Sequence, residues 1–278
     1  MHNKLTNELA VCGFNAIRAL SEVHPDTINR LFLREDRLPL FSGLCKRLAE
    51  RKRPYKICEN EELEKICKTN HHQGIVAMIY EPVVEAAAPE DTEVLAVEGK
   101  TGLLLCDLGN DLNLGAVVRS AAFFDVLSVF LAEQNNPDAV SAASEKRGSP
   151  PEQKFLSTAA YRAAEGGMEY VQFRLVRNPA AFLRSASKKL VTIGTDIRSR
   201  SRIRDIPILI NDRYKNMFGK NNRPGIILVI GNEETGLPAE VKEQCSILVR
   251  IPGTGIIESL NAAQAASIFL YELYERFG

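Results

Sequence analysis

At 278 residues the chain has room for one or two domains with cores of their own. Its 35 basic and 35 acidic side chains cancel, which excludes a global field able to gather a polyanion. Six cysteines without a C-x-x-C pair and four histidines without ligand spacing exclude a disulfide scaffold and a zinc module, so no metal is expected.

No apolar run approaches the ~18 residues of a membrane span, and no signal-like segment opens the chain. Cysteines set in apolar runs fit a reducing compartment, and the expectation is a cytoplasmic protein without membrane attachment.

Charge is balanced only globally. Residues 1–80 carry 13 basic and 10 acidic side chains, residues 81–100 one basic and six acidic, and the remainder 21 and 19. Two mildly basic segments thus flank an acidic one. In chain order, "VCGFNAIRALSEV" (11–23) has helical spacing and "INRLFLRE" (28–35) reads as a strand. "PLFSGLCKRLAERK" (39–52) is helical again, "PYKICE" (54–59) a strand, "NEELEKICKT" (60–69) a helix and "GIVAMIY" (74–80) a strand. This alternation predicts a small α/β domain over 1–80. Residues 81–100, rich in Ala, Pro, Val and acid with no clear period, read as an acidic linker.

From 101 to 278 the predicted strands are longer and more apolar: "GLLLCDL", "VLSVFLA", "YVQFRLV", "LVTIGTD", "GIILVIG" and "ILVRIP". Helices are expected near 114–124, 152–164, 179–188, 238–244 and 262–276. The pattern is that of a parallel α/β sheet with both faces covered, whose ligands bind beyond the carboxyl ends of the strands. Three of those ends are followed by Gly together with Asn, Ser, Glu or Arg. After the first strand, Asn113 stands near a helix start, where capping alone would explain it. Arg119 lies among apolar neighbours and must meet either an ion-pair partner or an anion. After the fifth strand, Gly231 and Gly236 bracket Glu233 and Glu234, which could simply complement a helix N-terminus. After the sixth, Ser259 and Asn261 precede the last helix as possible caps. No strand is followed by G-x-G-x-x-G, which argues against a dinucleotide-dependent oxidoreductase.

In "DIRSRSRIRD" (196–205), Arg198, Arg200, Arg202 and Arg204 alternate. An extended chain would point all four to one side, as an RNA contact surface would require. A solvated loop partly neutralised by Asp196 and Asp205 is the plainer reading.

"NLGAVVRSA" (113–121), "GNEETGL" (231–237) and "IPGTGIIESLNAAQAA" (251–266) resemble the three ordered motifs of the SpoU/TrmH family of RNA 2′-O-ribose methyltransferases. The first 80 residues resemble that family's L30e-like RNA-binding domain, with "HHQGIVA" (71–77) similar to its closing segment. "AAYRAAEGGMEYV" (159–171) resembles the YfiF-like branch. The resemblance implies a SPOUT fold with a C-terminal trefoil knot, S-adenosylmethionine as cofactor, tRNA or rRNA as substrate and a homodimer. It implies cofactor contacts around Thr195, Gly231, Ile251 and Leu260, and a catalytic set of Asn113, Arg119, Glu233, Ser259 and Asn261. An RNA-binding protein that kept the fold and lost catalysis is the alternative.

Overall fold

In the computed structural model, which describes residues 2–3, 7–108, 110–133, 156–214, 216 and 223–278, the apolar stretch at 8–23 does not form one helix. It breaks at Gly13, whose φ of 108° lies where side chains are rarely tolerated. Before the break stands β2 (Glu8–Cys12), which pairs with β1 (His2–Asn3); after it comes α1 (Phe14–Val23). Then follow β3 (Ile28–Leu33), α2 (Ser42–Glu50), β4 (Tyr55–Ile57), α3 (Asn60–Cys67) and β5 (Ile75–Tyr80). The five strands form a sheet in the order β1-β2-β5-β3-β4. Central β5 is antiparallel to both β2 and β3. Its residues Val76 and Met78 pack with Ala10, Cys12, Cys58, Leu63 and Cys67 in a core that α3 covers. The first α/β unit is therefore as expected, except that Val11 and Cys12 belong to a strand.

The segment read as a linker is largely a helix, α4 (Pro89–Glu98). Its single deeply buried side chain, Leu95, explains why no apolar period is visible. The Asp91 carboxylate accepts from the Ala88 N–H at 2.8 Å, and Gly99 ends the helix in the left-handed region.

Next come β6 (Thr101–Leu105), α5 (Asp111–Phe123), β7 (Ser128–Ala132), α6 (Thr158–Ala164) and β8 (Gln172–Val176). The chain continues through α7 (Pro179–Ala186), β9 (Val191–Thr195), α8 (Ile206–Tyr214), β10 (Ile226–Ile230), α9 (Ala239–Lys242), β11 (Ile247–Val249) and α10 (Ala262–Phe277). The helix expected over 152–164 is described from Thr158 on, capped by the Ser157 hydroxyl; residues 152–155 lie outside the described residues. Helix α8 was not foreseen. The six strands form a sheet in the order β11-β9-β10-β6-β7-β8. The pairs β6–β7, β6–β10, β9–β10 and β9–β11 are all parallel. Leu104, Phe130, Ile227 and Val229 of this sheet pack with Leu95, Leu183, Leu237 and Val241 in its main core.

The chain gathers into two compact units. One comprises Met1–Val83, Asn110–Phe123 and Leu156–Gln172, so α5 and α6 associate with the N-terminal sheet. The other comprises Val84–Gly109, Phe124–Phe155 and Phe173–Gly278. Among the described residues no helix is long and apolar enough to cross a membrane.

Candidate functional site

Parallel pairing brings the carboxyl ends of β11, β9 and β10 into one row. Thr195 lies opposite Val249, and Gly194 opposite Val229. Three of the expected cofactor positions, Thr195, Gly231 and Ile251, lie at or within two residues of these strand ends. The Thr195 hydroxyl donates to the Val229 carbonyl at 3.2 Å, so its side chain is spent within the sheet. Gly231 is required by close approach. A Cβ there would stand 2.4 Å from the Gly236 carbonyl carbon and 2.6 Å from the Leu237 nitrogen.

The turn after β10 is organised by a residue the sequence reading passed over. The Asn232 side-chain oxygen accepts from the Glu234 and Thr235 N–H groups at 2.9 and 3.1 Å, and its amide donates to the Asp107 carbonyl at 2.8 Å. Asn232 and Gly236 also exchange both backbone hydrogen bonds. Glu233 is half-buried beside it. An Asn followed by two acids and Thr-Gly is a readable side-chain turn, and that signal was available in the sequence.

After β11 the chain runs exposed from Pro252 to Asn261. Ile256 is 85% exposed, Ile257 75% and Leu260 43%, an unusual concentration of apolar surface in one loop. The backbone groups of Gly253, Gly255, Ile257, Glu258, Ser259 and Leu260 make no hydrogen bond to other described residues. Open space lies beside Gly253 and Gly255. A loop with unspent N–H and C=O groups and apolar side chains suits a flat heterocycle that has both a polar edge and an apolar face. Asn261 caps α10, accepting from the Ala263 N–H at 2.9 Å. Ser259, expected to share that task, takes no part in the cap.

Asn113 and Arg119 ride on α5. The cap of this helix is Asn110, whose side-chain oxygen accepts from the Asn113 N–H at 2.8 Å. Asn113 therefore stands inside the first turn, half-buried, and its side chain is not needed as a cap. Arg119 is exposed between buried Val118 and Ala121 and has no ion-pair or hydrogen-bond partner among the described residues.

The alternating arginines do not lie on an extended chain. The segment turns at Asp196, whose carboxylate accepts from the Arg198 N–H at 3.0 Å, and ends in a 3₁₀ turn over Ile203–Asp205. Arg202 is pinned through its backbone: its N–H donates to Asp205 at 2.7 Å. Four side chains on one face was therefore the wrong geometry. Arg198, Arg200 and Arg204 are nonetheless exposed, and Arg202 is partly so. Burial pushes the Asp196 carboxyl up, but the Arg198 N–H and Lys242, at 3.1 Å, outweigh it and hold the carboxyl below its ordinary value. Asp196 thus neutralises Lys242 more than it does the arginines.

Residues 100–271 match the model of the SpoU rRNA Methylase family, and residues 10–83 match that of the RNA 2′-O ribose methyltransferase substrate binding domain. An uncharacterized tRNA/rRNA methyltransferase of Escherichia coli O157:H7, YfiF, is 26% identical over 99% of this chain and 70% of its own length. The 23S rRNA (guanosine-2′-O-)-methyltransferase RlmB of Nitrosomonas europaea is 28% identical over 98% of this chain and 93% of its own. The fold is that of the AdoMet-bound rRNA methyltransferase of Sinorhizobium meliloti, with a TM-score of 0.71 over 98% of this chain and 88% of that one at 20% identity. With the family model covering most of the chain and the expected strand ends carrying its motifs, the chain belongs to the SpoU rRNA methylase family.

Proposed function

We propose that this chain transfers a methyl group from S-adenosylmethionine to a ribose 2′-hydroxyl of tRNA or rRNA. The observation that carries the reading is the loop over 252–260, where the backbone of Gly253, Gly255, Ile257, Glu258, Ser259 and Leu260 makes no hydrogen bond to other described residues, beyond the carboxyl ends of three parallel strands. Thr195, Gly231, Ile251 and Leu260 would hold the cofactor through that backbone. S-adenosylmethionine, when bound, supplies a methyl group on a cationic sulfur.

The protein's own task is to place the ribose hydroxyl and stabilise the charge that develops as its proton leaves. Arg119 is suited to gripping a phosphate with its fork of donors and to stabilising oxyanion charge. A guanidinium hardly deprotonates, so Arg119 is assigned charge stabilisation and not storage of the proton. Asn113 and Ser259 orient the ribose, Asn261 fixes where the loop ends, and Glu233 acts within the turn that Asn232 holds. Arg198, Arg200, Arg202 and Arg204 supply phosphate contacts without sequence choice.

The reading extends to the architecture. We assign RNA binding to residues 1–80 and a knotted catalytic domain to 101–278, joined by the segment that carries α4. The six cysteines, all free thiols, fit a reducing cytoplasm. We also propose a homodimer through the 101–278 domain. On α10, Phe269 and Leu273 are buried in their own unit, whereas Ile268, Tyr271 and Tyr274 are exposed and available to a second copy.

Calorimetry with S-adenosylhomocysteine tests the reading against a catalytically silent RNA-binding protein. Micromolar binding supports a methyltransferase; no binding up to millimolar ligand supports the silent alternative.

A further inference from the structure

The segment over 157–169 makes four side-chain hydrogen bonds to the N-terminal sheet and its helices, across 93 to 150 residues of sequence. The Thr158 hydroxyl donates to the Ala10 carbonyl at 2.6 Å and is buried. The Arg162 guanidinium donates to the Thr69 hydroxyl at 2.9 Å. The Asn15 amide donates to the Glu165 carboxylate at 2.8 Å, and His24 Nδ1 lies 2.7 Å from the Glu169 carboxylate. The same segment grips α5 from its other side. A Cβ on Gly115 would stand 2.4 Å from the Ala160 carbonyl oxygen and 2.6 Å from the Ala163 Cβ. One on Gly167 would stand 3.1 Å from the Val118 carbonyl oxygen and 3.2 Å from the Arg119 Cα. All of these groups lie in one compact unit. An unbroken run of packed atoms therefore leads from α1, through Glu165 to Gly167, to the backbone that carries Arg119.

We infer that α6 and the turn after it are a brace that sets the Arg119 helix from the substrate-binding part of the chain, with Asn15, His24, Glu165 and Glu169 as positioning residues for methyl transfer. The inference rests on the methyltransferase reading above. A surface segment serving only to connect β7 to β8 would not need a buried carboxylate and hydroxyl committed to distant elements. Two glycines at closest approach make the seat shape-specific, so loosening one side shifts the other. Displacing a catalytic group by a fraction of an ångström lowers turnover without altering how substrate is bound.

The test exchanges donor and acceptor across one contact. Asn15→Asp sets two carboxylates face to face against Glu165; adding Glu165→Gln restores a hydrogen bond with its direction reversed. Turnover is measured with radiolabelled S-adenosylmethionine on unmodified tRNA and rRNA transcribed in vitro, together with hydrogen exchange of the α5 amides and S-adenosylhomocysteine affinity. The expected result for Asn15→Asp is a fall in kcat of about tenfold with RNA KM and S-adenosylhomocysteine affinity within about twofold of wild type. Its α5 amides exchange faster, and the double variant recovers both properties. Unchanged α5 exchange in Asn15→Asp overturns the brace whether or not the enzyme is active. A rise in KM at constant kcat overturns it as well, since the contact would then serve RNA binding alone. A wild-type protein that transfers no methyl to the RNA refutes the methyltransferase reading, and the positioning role with it, even where α5 exchange responds as expected.

Discussion

Arg119 is exposed, faces no counter-charge among the described residues, and costs the fold nothing to remove. Arg119→Ala should leave the circular dichroism, the melting temperature and S-adenosylhomocysteine affinity unchanged while lowering methyl transfer by about a hundredfold or more, the scale of losing one preorganised donor. Residual turnover near wild type would remove it from the mechanism. Asn232 has the opposite character. Its side chain makes three hydrogen bonds, so Asn232→Ala should destabilise the fold by about 1–3 kcal/mol and weaken S-adenosylhomocysteine binding, both readable by melting with and without ligand. Glu169 offers a test in pH. Burial holds its carboxyl above the ordinary value of 4.5, and the hydrogen bond and charge of His24 offset this only in part; buried Tyr161 is the other titratable group that feels it. A carboxyl raised in the fold contributes stability that is full below 4.5 and is lost as pH rises through its folded value. Glu169→Gln should therefore gain on wild type in urea melts as the pH rises above 4.5, and parallel curves would contradict this.

The six apolar strands and most helices were readable because continuous apolar runs and a 3.6-residue period survive in the chain. Helix α4 was not, because only Leu95 is deeply buried and its other positions mix acids with exposed Val94 and Val97. Val11 and Cys12 look helical until the φ of Gly13 is known. The arginine segment misled for a related reason. Alternation implies one face only on an extended chain, and the Asp196 turn and the 3₁₀ turn at Asp205 remove that premise. Gly115 is the contact where α5 meets α6. Gly115→Ala should push the two helices apart, cost about 1–3 kcal/mol and lower turnover along with stability, as thermal melts and initial rates would show. Exchanging Arg198, Arg200 and Arg204 for Gln should flatten the dependence of log RNA affinity on log salt by about 0.7 per lost contact. An unchanged slope would move the RNA to the basic group Lys46, Arg47, Arg51, Lys52 and Arg53 on the other unit.

Across the molecule, the motif residues could be recognised in the sequence far better than the contacts between them. Asn113 and Arg119 belong to the unit built on the N-terminal sheet, while Glu233, Ser259 and Asn261 belong to the unit built on the six-stranded sheet. Linear spacing cannot reveal that division, because it arises from Thr158, Arg162, Glu165 and Glu169 finding partners among the first 70 residues. The most direct measurement is to incubate the purified protein with radiolabelled S-adenosylmethionine and unmodified tRNA or rRNA, digest the RNA to nucleosides, and identify the labelled species by mass spectrometry beside an Arg119→Ala control. A 2′-O-methylnucleoside formed by wild type and absent from the control is the predicted result. Label on a base, equal label in both proteins, or no label in any RNA would contradict it.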